Sequence, residues 1–357
     1  MRNLRVAQPK QVHFSLRFQP TKAPGFGGFF FAKAQRVLTC VAAAKILPAM
    51  QNADPTPDQS TPDDAVTLPI PLEPIVVPVT VPYLTEPLPN LAAWTRYFQQ
   101  AEIPVLADTS EALETLRAIE DDVDAGMLSE VIERDPLMTL KVLAYVSAKR
   151  RPGDTTEVES ITSSLVMMGI APFFRNFGLQ PTIEDQLAHQ PQALAGLRDL
   201  LTRADRAGQF AMGFAVHRGD LDVGVIRVAA VLYDFAEMLM WCHAPTMQLE
   251  IRAMQHANPT LRTASLQRFI YNTELNELSH ELMKFYHLPE LLIRISDGKH
   301  SKHPAVLNVL LAVRLARHTM HGWDNPAIPD DITDIAQLLN CVPRVALAFV
   351  HKINHPA

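Results

Sequence analysis

His300 and His303 stand three residues apart, a spacing at which two imidazoles on one helical turn could hold a metal ion. Pro304 follows at once and Gly298 and Ser301 lie between and beside them, so a loop is expected here rather than a ligating turn. Twelve of the 13 histidines fall within residues 189–355, a density at which one close pair arises by chance. His300 and His303 are therefore carried forward as a surface for a ligand or a partner, with no metal assigned. The second candidate is Asp234, a lone carboxylate in the apolar run Ala229–Leu239. An unpaired buried carboxylate is costly. It should meet Arg203 or Arg206 on the preceding helix and lock the two helices together, or else serve a binding pocket. Tyr233 precedes it. The cluster Lys149-Arg150-Arg151 could face nucleic acid, but cations also suit the C-terminal turn of a helix. Phosphate-binding loops, dinucleotide glycine fingerprints and nucleophile elbows are absent.

The elements that must position these residues read as helices. Asp135-Pro136 is a start signal, an N-cap acceptor followed by a first-turn proline, and Leu137, Leu140, Val142, Leu143 and Val146 supply the apolar face. Ser160–Met168 reads as a helix closed by Gly169. Asp108 with Glu111 forms a capping-box pattern. Longer helices are expected near 197–217, 223–241, 261–271, 274–286 and 304–320, and Asp330 or Asp331 opens one more that reaches Asn340. No hairpin signal follows residue 90. The methionines Met238, Met240, Met247 and Met254, the pair Met167-Met168 and the cluster Phe173, Phe174 and Phe177 read as core before they read as a binding surface. The Gln180-Pro181 and Gln190-Pro191 steps mark a candidate subdomain junction at 180–200.

The chain has 357 residues, 48% hydrophobic and 20% charged, enough apolar material for a large core. Charge is distributed unevenly. Residues 1–49 carry eight of the 32 basic residues and no acidic one, leaving 24 basic against all 38 acidic residues beyond them. Such a leader reads as a targeting or binding arm, or as a mis-assigned start ahead of Met50. Residues 50–89 form a Pro-rich tether with ten prolines, which bar helix and central strand. The acidic balance makes nucleic acid an unfavoured partner. Cys40, Cys242 and Cys341 are few, odd in number and far apart, which fits a reducing cytoplasm. No apolar run is long enough for a transmembrane helix. Residues 346–357 read as a C-terminal tail.

Taken in order, Ser129–Leu143, Ile161–Gly169, Ala229–Leu239, Leu288-Pro289 with Leu291 and Leu292, and then His300 resemble the successive motifs of the HDOD family, over about residues 90–345. No single motif is specific, but their order and spacing are. The resemblance implies an all-α, compact HD-like multi-helix domain behind a disordered N-terminal extension, related to the HD phosphohydrolases and generally regarded as a non-catalytic signalling module in bacteria.

It also implies what an HD site would need, a His-Asp doublet and an upstream histidine around one or two metal ions that activate water. Here the doublet reads Tyr233-Asp234, and a phenol with a pKa near ~10 is a poor ligand at neutral pH. The stretch Leu200–Phe214 contains no histidine and carries Arg203 and Arg206, which repel a cation. The expected function is a regulatory module without cofactor or metal, acting through an unidentified protein partner or small signalling ligand. The alternative is a divergent metal-dependent phosphohydrolase that rebuilt its site from Asp234, His300 and His303.

Overall fold

The computed structural model describes residues 83–149, 160–297, 299–300 and 302–354. The leader, most of the tether, Arg150 and Arg151, and Cys40 lie outside them. The described residues are helical, in the order α1 (Leu91–Phe98), α2 (Ala107–Arg117), a 3-10 turn at Glu120–Asp122, α3 (Ala125–Ile132), α4 (Pro136–Lys149), α5 (Ile161–Met168), α6 (Ile170–Asn176), α7 (Ile183–Gln186), α8 (Pro191–Arg218), α9 (Val223–Val231), α10 (Phe235–His243), α11 (Pro245–Ala257), α12 (Thr263–Tyr271), α13 (Leu275–Phe285), α14 (Glu290–Ser296), α15 (Pro304–His318), α16 (Ile328–Leu338) and α17 (Pro343–Asn354). Among them there is no strand; a lone parallel bridge pairs Val105 with Thr182. One hydrophobic core runs from Trp94 to Val350.

The 28-residue α8 is the axis, packed by α15, α9, α10, α11 and α17. Pro191 occupies its first turn, and Gly219 ends it in the left-handed region at φ 72°. Its buried stripe is built largely of small residues, Ala193, Gly196, Ala204, Ala207, Gly208, Ala211 and Ala215. Small side chains let neighbouring backbones and rings come close. A Cβ added at Gly196 would sit 2.5–2.9 Å from three ring carbons of the buried Trp241, and one at Gly208 would sit 2.6 Å from Val231 Cγ2. At Gly213 the obstacle is Ile353 Cδ1 at 2.4 Å, the free end of a half-buried side chain. Gly196→Ala is therefore expected to cost about 1–3 kcal/mol, as overpacking against a ring that cannot retreat, and Gly213→Ala less than half of that. Thermal melts of the two variants check the order. Equal effects would mean that Trp241 can shift.

Several starts follow the sequence reading. Asp135 accepts from the N–H groups of Leu137 (2.8 Å) and Met138 (3.2 Å), and Ser160 with Ser163 closes a reciprocal capping box ahead of α5. Phe173, Phe174, Phe177, Met238, Met240 and Met247 are core, whereas Met167 is half exposed. The start at Asp108 is a correction. Helix α2 begins at Ala107, and its first donors are satisfied from afar: Leu106 N–H by Asp135 (2.7 Å) and Ala107 N–H by Glu184 (3.0 Å). Asp330 and Asp331 likewise do not open α16. It starts at Ile328, and buried Asp331 instead forms ion pairs with Arg314 (2.7 Å) and His318 (2.6 Å) on α15.

Of the expected tail at 346–357, residues 346–354 belong to α17, which buries Ala346 and Val350 and packs on α8 and α16. The last residues of the expected tether are docked. Leu84 N–H donates to the carbonyl of His243 at 2.8 Å, and the Tyr83 hydroxyl donates to the carbonyl of Gln186. No single helix among the described residues is long and apolar enough to cross a membrane; α16 and α17 reach that composition only together, bent by 99°.

Candidate functional site

The run 223–241, expected as one helix, is two. Residues 232–234 form turns between α9 and α10, although no glycine or proline marks the break. Asp234 thus sits at the N-terminal edge of α10, yet its side chain does not cap that helix. It turns to α8, where Nη2 of Arg203 donates to Asp234 Oδ2 at 2.9 Å and to Glu237 Oε2 at 3.2 Å. Arg317 of α15 approaches the same Asp234 oxygen at 3.5 Å. The position is about four-fifths buried: Arg203 is 21% exposed and Asp234 19%. Burial works against the Arg203 charge, and the two carboxylates more than offset it, raising its pKa. Burial, then the charge of Asp234, push the Glu237 carboxyl up against the pull of Arg203 and Arg317. Burial likewise raises the Tyr233 phenol, with Asp234 adding to the effect, so it stays protonated.

Of the two arginines expected beside Asp234, only Arg203 is there. Arg206, one turn on, points elsewhere: it donates to the Thr319 carbonyl (2.9 Å), the Thr319 hydroxyl (3.0 Å) and Asn354 Oδ1 (2.7 Å), tying α8 to the ends of α15 and α17. Burial lowers its pKa. Sequence reasoning missed Glu237 and Arg317. Glu237 had a signal, an acid three residues after Asp234 and so on the same face of a helix. Arg317 had none, because only tertiary packing brings α15 to Asp234.

Beside the Arg203–Asp234–Glu237 cluster lies a cavity of about 190 Å³. Its walls are single stripes of α8, α10, α11 and α12, closed by Met320 and His321.

The two histidines do not join this site. His300 pairs with Asp297 at 3.1 Å in the turn before α15, and His303 is the residue that precedes α15. His303 lines a separate groove of about 440 Å³ between the α8–α9 turn, α14 and α15, next to the almost fully exposed Leu221. His280 bonds to Ser296 Oγ at 2.7 Å.

The family model described as the HDOD domain matches residues 103–302, more than half of the chain. The chain belongs to the HDOD domain family. Among curated proteins none matches it. Among solved structures, it is similar to the MmoQ response regulator of Methylococcus capsulatus strain Bath, with a TM-score of 0.51 and 19% identity, covering 67% of this chain and 98% of that one. It is also similar to a virulence factor of Campylobacter jejuni, with a TM-score of 0.48 and 16% identity, covering 74% and 98% of the two chains. A third is an HDOD domain protein of Geobacter sulfurreducens, with a TM-score of 0.39 and 14% identity, covering 74% and 97%. At these identities the likeness is one of fold.

In this HDOD domain the residues at the Tyr233-Asp234 position do not fit a metal ion. A divalent cation needs several lone pairs, from carboxylates, imidazoles or other oxygen donors, converging on one point. Here Asp234 and Glu237 converge on a guanidinium instead, and Tyr233 offers a protonated phenol. Among the described residues no three His, Cys, Asp or Glu side chains are grouped so that they could hold a metal.

Proposed function

We propose that this HDOD domain is a non-catalytic signalling module that acts by binding a protein or a small ligand. The observation that carries the reading is the Arg203 guanidinium on Asp234 and Glu237, a fixed cation where a metal-dependent hydrolase would need an exchangeable one. The absence of an upstream imidazole between Leu200 and Phe214 supports it, as does the similarity of fold to a response regulator. A cytoplasmic location belongs to the same reading and is consistent with Cys242 and Cys341 as unpaired thiols.

The test is elemental analysis of the untagged full chain, together with phosphodiesterase and phosphomonoesterase assays at added Mn²⁺ or Mg²⁺. The expected result is no stoichiometric metal and no turnover above buffer, in the wild type and in Tyr233→His alike. Restoring the imidazole alone leaves Arg203 in place of the cation. Stoichiometric metal that disappears in Asp234→Asn, with hydrolysis lost alongside it, would overturn the reading in favour of a divergent phosphohydrolase.

A further inference from the structure

The described chain begins at Tyr83, and it begins in a groove. The groove has a volume of about 310 Å³ and lies between the end of α1, the region of α7 and the last residue of α10. Its polar atoms are spent on other partners. The Tyr83 hydroxyl donates to the Gln186 carbonyl, and the Tyr97 hydroxyl pairs with His243 Nδ1 at 3.0 Å. His243 Nε2 lies 2.9 Å from the Glu102 carbonyl, which can only accept, so Nε2 donates and Nδ1 is left to accept from Tyr97. Gln186 Nε2 donates to the Cys242 carbonyl at 2.7 Å. The Glu102 carboxylate is 61% exposed and paired with Lys141. The rest of the lining is apolar: the rings of Tyr83, Tyr97 and Pro181, the Leu84 side chain and the Ala101 methyl. Aromatic-lined grooves of this kind take extended proline-rich chain, whose polyproline II form is set before it binds.

The sequence supplies such chain at the edge of the groove. The ten residues before Tyr83 read Glu73-Pro74-Ile75-Val76-Val77-Pro78-Val79-Thr80-Val81-Pro82. From Pro74 to Pro82 there is no charge and one polar side chain, Thr80. The prolines at 74, 78 and 82 fix φ near the polyproline II value. At three residues per turn, Ile75, Pro78 and Val81 share one edge and Val76, Val79 and Pro82 the next, so two adjacent edges are wholly apolar. A cavity of about 150 Å³ holds a benzene ring, so about 310 Å³ takes two side chains of valine or proline size. Burial of each contributes roughly 1.5–3 kcal/mol. A separate ligand would have to compete with a covalently attached segment, whose effective concentration is on the order of millimolar.

We propose that residues 78–82 of this chain occupy the groove, with Leu84, already bonded to the His243 carbonyl, as the fixed end of the segment. The groove is thereby taken, and it is not the surface through which the module meets its partner. The inference is independent of the Arg203 cluster.

The experiment is methyl NMR of the full chain in a deuterated background, with labelled valine methyls and protonated tyrosine. Val79, Val81 and Tyr97 are assigned by Val79→Ala, Val81→Ala and Tyr97→Phe. At least one of the two valines is expected to show a ring-current shift and a nuclear Overhauser contact to the Tyr97 ring. Ala101→Arg, a change in the half-buried groove wall, is expected to return both valines to random-coil shifts, while the fully buried Val142 and Val309 keep theirs. If Val142 and Val309 also move, the variant has not folded and the Tyr97 contact in the wild type decides. Random-coil shifts of both valines in the wild type, without contact to Tyr97, overturn the proposal. So do displaced valine shifts that persist in Ala101→Arg, which would place the segment on another surface. A contact found only between chains, in a mixture of valine-labelled and tyrosine-protonated protein, overturns it in favour of a second copy as the occupant.

Discussion

Asp135→Ala is expected to lower stability by about 3–5 kcal/mol, a large share of the roughly 5–15 kcal/mol that holds a domain folded. Asp135 is fully buried. One oxygen accepts from the N–H groups of Leu137 and Met138 and the other from Leu106 N–H, with the Thr109 side chain as a further donor. A single carboxylate thus starts α4 and satisfies the entry to α2. Burial pushes its pKa up and the four hydrogen bonds draw it back, a contest that shows how far its charge depends on those donors.

Alanine leaves three backbone N–H groups buried without acceptors, at about 1–3 kcal/mol each before relaxation, and opens a small cavity. Asp135→Asn should lose about 2 kcal/mol, because one carbonyl oxygen can serve one side while the amide NH₂ faces a donor on the other. Urea denaturation followed by far-ultraviolet circular dichroism measures both. An Asp135→Ala midpoint equal to the wild type at unchanged slope would show that water replaces the lost oxygens, and the buried-acceptor account would fall.

The second large effect is at Arg203. Arg203→Met removes the cation and leaves Asp234 and Glu237 facing each other. Breaking a buried pair on one side costs about 3–5 kcal/mol, and here the lower end applies because the cluster is not fully dry. The loss should depend on pH, with a definite sign. The Glu237 pKa is already raised in the folded protein by burial and Asp234, and Arg203 is one of the groups holding it down. Without Arg203 it rises further above the unfolded value of about 4.3.

A carboxyl whose folded pKa is raised binds more protons folded than unfolded between the two values. The associated stability is present below the unfolded pKa and is lost as pH climbs through the folded one. Arg203→Met should therefore be most destabilised near about pH 7 and recover toward wild type near about pH 5. The triple replacement Arg203→Met, Asp234→Asn, Glu237→Gln should regain most of the stability at about pH 7, since the charge that then loses its partner, Arg317, is half exposed and stays solvated. A penalty for Arg203→Met that does not change with pH would mean lost packing of the arginine stem rather than exposed like charges.

Much of this protein could be read along the chain. Local signals that depend on one or two turns carried over: Asp135-Pro136 ahead of α4, Ser160 ahead of α5, Gly169 after it, and the apolar periodicity of α4 and α15. The order of weak motifs from Ser129 to His300 was enough to place the chain in its family, because spacing along a helical domain reflects which helices must meet. The pairing of Asp234 with an α8 arginine was also legible, since a carboxylate within an apolar run demands a cation and only two were near.

Tertiary structure alone decided the rest. Residues 232–234 break the helix although no glycine or proline is present. The choice of Arg203 over Arg206 is one of rotation about the α8 axis, which is set by Trp241 packing on Gly196 and Val231 on Gly208. The two arginines lie three residues apart, and a helix turns each residue about 100° further round, so small-residue contacts elsewhere on α8 determine which one faces α10. Asp108, Asp330 and Asp331 failed as start signals for the same reason. Their helices obtain acceptors or ion pairs from other elements, Asp135 and Glu184 for α2, Arg314 and His318 for α16, and such partners are invisible to any rule that looks only a turn ahead.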